Sequence, residues 1–319
     1  MLFQVNTKKN KLNVLDGSVR PGFKRIKSIF TKVKFVAKNV VYVKKWYEQK
    51  LNRETLCEPF SPKNNFKAQK VEFFFNPYLV KTINEPDPLM KKVKALRCRS
   101  FFGDSKKINF DTDEFDQDCD HLVVVDKSKS EDFVVGTYRL LIKPKDVKYR
   151  KFYSESEFNI NNLYKGKKLS MLEAGRSCVH EKYRDGRIIK LLWRGLATYI
   201  LKNKIDLIFG CASFPSSNHA LFKDQLSYLH YNHMPPKHYF TFPHNHMKAD
   251  FNIKGKDSIN EENEFRRLPP LIKAYIRAGA WIGSGAIVDR EFDTTDVLII
   301  LESKKILKKY TQLAFDLRH

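Results

Sequence analysis

Glu173 and Arg176 stand three residues apart in the run Leu172-Glu173-Ala174-Gly175-Arg176-Ser177-Cys178-Val179-His180, and Arg184, Gly186 and Arg187 follow in Tyr183-Arg184-Asp185-Gly186-Arg187. A carboxylate in such a run can bind or deprotonate an attacking amine. It can equally be a surface group or one paired to an arginine. In a strand, positions three apart point to opposite faces. Glu173 and Arg176 therefore share a cleft only if a bulge intervenes, and Gly175 suits that place. The Arg184–Arg187 turn leads into a helix. Its free N–H groups and guanidinium charge suit a pyrophosphate or a phosphopantetheine phosphate, although many ordinary turns look alike. Asp113 and Asp116 lie in an acidic loop of a basic chain. They fit either a cationic acceptor or a solvated loop. Cys178 and His180 share a strand face but lack a third partner to orient the histidine, which disfavours a thiolate nucleophile. His230, His233, His238, His244 and His246 cluster locally, yet their spacing matches no zinc site, so no metal is expected.

These residues require a strand, a turn and a helix to hold them. Ser170–Val179 and Ile205–Ala212 read as strands. Arg187–Lys202 between them reads as a helix with Ile188, Leu191, Leu192, Leu196, Tyr199 and Ile200 on its buried side. Upstream, Val71–Phe75 and Tyr78–Ile83 are strand-like. A helix carrying Leu89, Val93 and Leu96 follows Pro86-Asp87-Pro88, and His121–Asp126 with Phe133–Lys143 reads as a hairpin. Downstream come a helix from Asn218 to about Tyr231, an aperiodic polar stretch over 232–266, a short helix Leu268–Ala278, and strands at Ala286–Asp289 and Val297–Leu301. The alternation lacks a doubly wound rhythm, so the fold class is a mixed α/β (α+β) sandwich.

The chain has 319 residues, 42% hydrophobic and 13% aromatic, which suits one folded domain with or without an extension. Its net charge of +23 calls for an acidic partner: nucleic acid, an anionic membrane surface or an acidic protein. Residues 1–70 hold 17 Lys and Arg against 4 Asp and Glu, which places 13 of those charges in one arm. Within it, Phe23–Leu51 has the period of a basic amphipathic helix. Such a helix can lie on an anionic membrane or pack on the domain. Residues 52–70 read as a linker, giving an extension over 1–70 and a domain over 71–319. The five cysteines, Cys57, Cys98, Cys119, Cys178 and Cys211, are odd in number and form no CxxC pair, which argues against a disulfide framework and fits a reducing, cytoplasmic setting. No apolar run approaches the roughly 18 residues of a membrane span. No secretory signal is evident at the N-terminus. A non-catalytic basic membrane- or nucleic-acid-binding protein is the alternative of another class. No DNA or RNA motif supports it, and nucleic acid is not the expected partner.

Taken together, Glu173–His180, Tyr183-Arg184, Leu191-Leu192-Trp193 and Phe209-Gly210-Cys211-Ala212-Ser213-Phe214 closely resemble the ornithine-lipid N-acyltransferases, a bacterial branch of the GNAT superfamily. Leu268–Lys273 and Thr294–Leu298 resemble that family's C-terminal part, and the likeness spans roughly residues 78–302. The resemblance implies a GNAT-like fold with a mixed, mostly antiparallel central sheet flanked by helices. It implies transfer of a 3-hydroxyacyl group from acyl carrier protein to the α-amine of ornithine, giving lyso-ornithine lipid. No cofactor is bound in that reaction, since phosphopantetheine arrives on the carrier protein. The enzyme would be cytoplasmic and peripheral on the inner face of the membrane. Another amino-acid acceptor or an acyl-CoA donor is the alternative within enzymes. A more distant likeness to acyl-homoserine-lactone synthases implies substrate-binding roles for Arg97, Arg99, Phe101, Asp113, Asp116 and Arg139, and catalytic roles for Glu173 and Arg176. Arg184, Gly186 and Arg187 would receive the phosphopantetheine phosphate. The turn departs from the usual GNAT pattern, because Gly186 comes one position early and Arg187 and Ile189 stand where glycine or alanine is expected. Coenzyme A in the ordinary mode is therefore not implied. The GNAT tyrosine that protonates the leaving thiolate has no counterpart at matching spacing, although Tyr228 and Tyr231 lie in its region.

Overall fold

The computed structural model describes residues 66–103, 109–250 and 252–306. The basic arm, with its expected Phe23–Leu51 helix, lies outside the described residues.

The strands alternate apolar side chains between two faces and so bury both. In β3 (Asp120–Asp126), Leu122 and Val124 face one core while Val123 and Val125 face another. The sheet runs β1 (Glu72–Phe75), β2 (Tyr78–Ile83), β3, β4 (Phe133–Lys143), β6 (Met171–Val179), β7 (Leu207–Phe214), β11 (Thr294–Glu302), β10 (Ile287–Asp289), and β9 (Trp281–Ile282) also pairs with β11. Every pairing is antiparallel except β6 with β7. A separate two-stranded sheet joins β5 (Phe158–Asn159) to β8 (Phe242–Pro243).

Helix α1 (Met90–Phe102) covers one face through Met90, Val93 and Leu96. A short α2 (Asn161–Tyr164) covers the same side nearer β7 through Leu163, together with Phe152 and Phe158. Helix α3 (Arg187–Lys202) covers the other face. Its Ile188, Leu191, Leu192, Leu196, Tyr199 and Ile200 are buried, as their three- and four-residue spacing dictates. Helix α6 (Pro270–Arg277) joins it there.

Several boundaries differ from the sequence reading. The β7 strand runs two residues later than expected, because the apolar alternation continues through Ala212 and Phe214. The helix expected from Asn218 begins as a 3-10 turn, His219–Phe222, before α4 (Lys223–Asn232). The aperiodic polar stretch holds α5 (Glu261–Arg267). Capping rather than an apolar stripe marks it: the Asn260 side chain accepts from Asn263 N, and acids fill its first turn.

Gly210 is fixed by a close approach. A Cβ there would lie 2.3 Å from the Ala174 carbonyl oxygen of β6, and a backbone atom cannot move aside as a side chain could. Gly210→Ala is expected to destabilise the chain by about 1–3 kcal/mol through overpacking, read as a lower urea midpoint.

Candidate active site

The single parallel pair gives the sheet its opening. Strands β6 and β7 are in register only where Met171, Leu172 and Glu173 face Leu207, Ile208 and Phe209. Beyond that they part, and a cavity of about 640 Å³ opens between Gly175–Ser177 and Gly210–Ser213. Glu173 and Arg176 both line it. The expected bulge exists: the register between β4 and β6 shifts between Thr137 and Arg139. Its left-handed residue, however, is Arg176 at φ 49° and not Gly175. Tertiary contacts hold this uncommon backbone. The Arg176 guanidinium lies 4.7 Å from the ring centres of both Tyr153 and Phe292, and it donates to Asp111 and Asp113 at 3.2 Å.

Glu173 is buried. Its carboxylate accepts from Ser154 Oγ at 2.5 Å, Ser154 N at 2.7 Å and Tyr153 N at 2.9 Å. Burial raises its pKa above the usual carboxylate range, while the Ser154 and Tyr153 donors pull the other way. A carboxylate that holds a proton more tightly than usual suits proton abstraction from an amine.

The acidic loop is bound to the protein's own arginines. Arg97, wholly buried, donates from Nε to Asp111 at 2.6 Å and from Nη1 to Asp116 at 2.7 Å. Arg139 donates to Asp113 at 2.5 Å and to Asp116 at 3.4 Å. With Arg176, three arginines meet three aspartates. Burial alone would raise Asp116, yet the Arg97 hydrogen bond and charge, aided by Arg139, hold it at about 2. This arrangement favours a loop-ordering role for Asp113 and Asp116 over direct capture of a cation.

His121 packs on this network with Nε2 3.4 Å from the Asp116 carbonyl oxygen. Burial, with Arg97 adding to it, lowers its pKa from 6.5 to about 4. Between these values the unfolded chain binds the proton and the folded chain does not. The His121 contribution to stability therefore falls as pH drops through that window, by about 3 kcal/mol in all. Urea unfolding of wild type and of His121→Gln from pH 7 to pH 4 isolates it: the stability of wild type relative to the variant should fall by that amount.

A second acidic group was not legible in the sequence. Glu157, Asp289 and Asp296 are buried and line the same cavity, with one carboxylate oxygen of each within 4.8 Å of the others. Burial and the charge of Asp296 push Glu157 up to about 8; burial and Asp289 push Asp296 up to about 6. Among the described residues these three form the one acidic constellation whose geometry could hold a cation.

The remaining predicted residues fall in several places. Phe101 lines the cavity, its ring 5.9 Å from Phe292. Arg99 does not line it; this exposed side chain stands 3.4 Å from His180 Nε2. Gly186 caps α3 at φ 91°. The Asp185 carboxylate accepts from Arg187 N at 2.9 Å and pairs with its guanidinium, so a carboxylate already occupies part of the expected phosphate site. Arg184 Nε donates to the Val179 carbonyl. Cys178 faces α1, away from the cavity, and burial pushes its thiol up to about 12. His233 hydrogen-bonds Tyr228 at 2.9 Å and Tyr231 donates to the Lys254 carbonyl; neither tyrosine lines the cavity. Tyr138, Tyr153 and Tyr275 do line it, and none of the three was marked by its spacing. No helix among the described residues is long and apolar enough to cross a membrane.

The sequence profile of the acetyltransferase (GNAT) domain matches residues 98–194. An L-ornithine N(alpha)-acyltransferase from Agrobacterium fabrum (strain C58) is 40% identical over 206 residues, covering 63% of this chain and 70% of that protein. One from Rhizobium meliloti (strain 1021) is 42% identical over 209 residues, covering 63% and 69%. Among solved structures, a CoA-dependent acyl-homoserine lactone synthase, BjaI, with SAM and isopentyl-CoA, is 12% identical with a TM-score of 0.40, covering 73% of this chain and 88% of that one.

Proposed function

The chain belongs to the L-ornithine N(alpha)-acyltransferase family, and from that premise we propose that it moves a 3-hydroxyacyl group from acyl carrier protein to the α-amine of L-ornithine, forming lyso-ornithine lipid. The observation that carries this reading is the buried Glu173 beside Arg176 where β6 and β7 part.

The α-amine of an amino acid is largely protonated at neutral pH. Glu173 takes one proton from it. The freed nitrogen attacks the thioester carbonyl carbon, and the carbonyl oxygen gains charge in the tetrahedral intermediate. The backbone of Gly175–Ser177, released from pairing with β7, lies along the cavity where an N–H could receive that oxygen. The C–S bond then breaks. The phosphopantetheine sulfur leaves as thiolate and takes the second proton from the nitrogen, while Glu173 returns the first to solvent. Arg176 directs two of its five N–H donors to Asp111 and Asp113; the others receive the α-carboxylate, while the network of Arg97, Arg139, Asp111, Asp113 and Asp116 fixes the side chain.

The donor docks on the basic surface around Arg184 and Arg187, and the Lys-rich arm keeps the enzyme on the anionic inner membrane face. Transfer rates with 3-hydroxyacyl-carrier protein and the matching acyl-CoA test this. The carrier protein should be preferred, and Arg184→Glu with Arg187→Glu should raise its KM roughly ten-fold. Equal use of acyl-CoA, with no effect of the two substitutions, would favour the alternative donor.

A further inference from the structure

We propose that Glu157, Asp289 and Asp296 form the receptor for the acceptor's side-chain ammonium, and that this trio selects an amino acid bearing a second amine on its side chain. The inference deepens the ornithine reading above and rests on it.

The two acidic groups beside the cavity differ in one respect. Asp111, Asp113 and Asp116 are matched by Arg97, Arg139 and Arg176. Glu157, Asp289 and Asp296 form no ion pair among the described residues. Arg176 acts on Asp296 through charge alone and makes its ion pairs with Asp111 and Asp113. Asp296 is 6% exposed, and its Oδ1 meets no hydrogen-bond partner. Asp289 Oδ1 is fixed by the backbone N–H groups of Glu291 at 2.8 Å and Phe292 at 3.1 Å. Glu157 Oε2 accepts the Cys211 thiol at 2.8 Å. Buried carboxylates without a counter-charge are costly, and a cation that enters the site relieves that cost.

The position suits the second amine of the acceptor. Cys211 Sγ lies 3.5 Å from Ser154 Oγ, which donates to Glu173 at 2.5 Å. Glu157 and Glu173 are thus separated by no more than this short chain of contacts. The extended arm between the two nitrogens of ornithine covers that reach. Tyr153, Phe292 and Ala212 line the space and suit its methylene groups. The α-nitrogen then meets Glu173 while the side-chain ammonium meets the trio.

The full-length protein should be assayed with saturating acyl donor against ornithine and norvaline, which keeps the carbon chain and lacks the second amine. Wild type should favour ornithine in kcat/KM by roughly 100-fold or more. Asp296→Asn and Glu157→Gln should each reduce that ratio at least ten-fold, chiefly by raising the KM for ornithine. Thermal unfolding gives a second readout: at one ornithine concentration the rise in Tm should be clearly smaller for Asp296→Asn than for wild type. If wild type acylates ornithine and both variants keep the ornithine-to-norvaline ratio, the trio is not the receptor, while the function stands. If Mn2+ or Mg2+ binds wild type in calorimetry, fails to bind Asp296→Asn, and is needed for transfer, the trio is a metal site and the inference is overturned. If wild type acylates no amine, the ornithine reading falls and takes this one with it.

Discussion

Arg97→Ala is expected to cost about 3–5 kcal/mol of stability, the range for removing one partner of a buried ion pair. The side chain is wholly buried and supplies the donors that neutralise Asp111 and Asp116. Without it two carboxylates remain inside with only part of their compensation. Asp116, held at about 2 by Arg97 and Arg139, would then bind a proton far more readily. Urea unfolding measures the loss directly. Arg97→Lys should recover only part of it, because an ammonium cannot fork to Asp111 and Asp116 as the guanidinium does. The double substitution Arg97→Met with Asp116→Leu should be less damaging than Arg97→Ala, since it removes both signs of charge together. A surface ion pair such as Lys151 with Glu114 offers the contrast. Breaking it should change stability by less than about 1 kcal/mol.

The second large effect falls on catalysis. Glu173→Gln is expected to lower kcat by about 10²- to 10⁴-fold, the usual contribution of a positioned general base. The amide would also turn an N–H toward Tyr153 N or Ser154, both donors. A modest stability loss, about 1–3 kcal/mol, should accompany the change. Circular dichroism and the urea midpoint separate the two: a folded variant with the full rate loss supports the proposed base. The pH profile is the sharper test. Because burial raises Glu173, the wild-type rate should climb as pH rises through a value above the ordinary carboxylate range, and that limb should vanish in the variant.

The sheet and the helix that face the cleft were legible because burial imposes a period. The alternation of Ser170–Val179 and the three-four spacing of α3 survive in the structure with small shifts at their ends. Glu173 and Arg176 were legible as a pair, and so was the need for a bulge between them. The residue that adopts the left-handed backbone was not. Glycine is the intrinsic choice, but two aromatic rings and two aspartates fix the Arg176 guanidinium, and the backbone follows. Asp113 and Asp116 carried a pattern without their partners, because ion pairs to Arg97 and Arg139 join segments far apart in sequence. Tyr153, Ser154 and Glu157 lie in a segment without periodicity, and Asp289 and Asp296 in two C-terminal strands. Only the pairing of β11 with β7 and β10 brings these acids to the cleft.

The most direct test of the account is a single transfer reaction. Purified full-length protein would be mixed with 3-hydroxyacyl-carrier protein and L-ornithine, with free thiol and acylated product measured together by mass spectrometry. The predicted result is one thiol released for each Nα-(3-hydroxyacyl)ornithine formed, with product from Glu173→Gln lower by about 10²-fold or more over the same interval. Thiol release without an acylated amine, or undiminished transfer by Glu173→Gln, would contradict it.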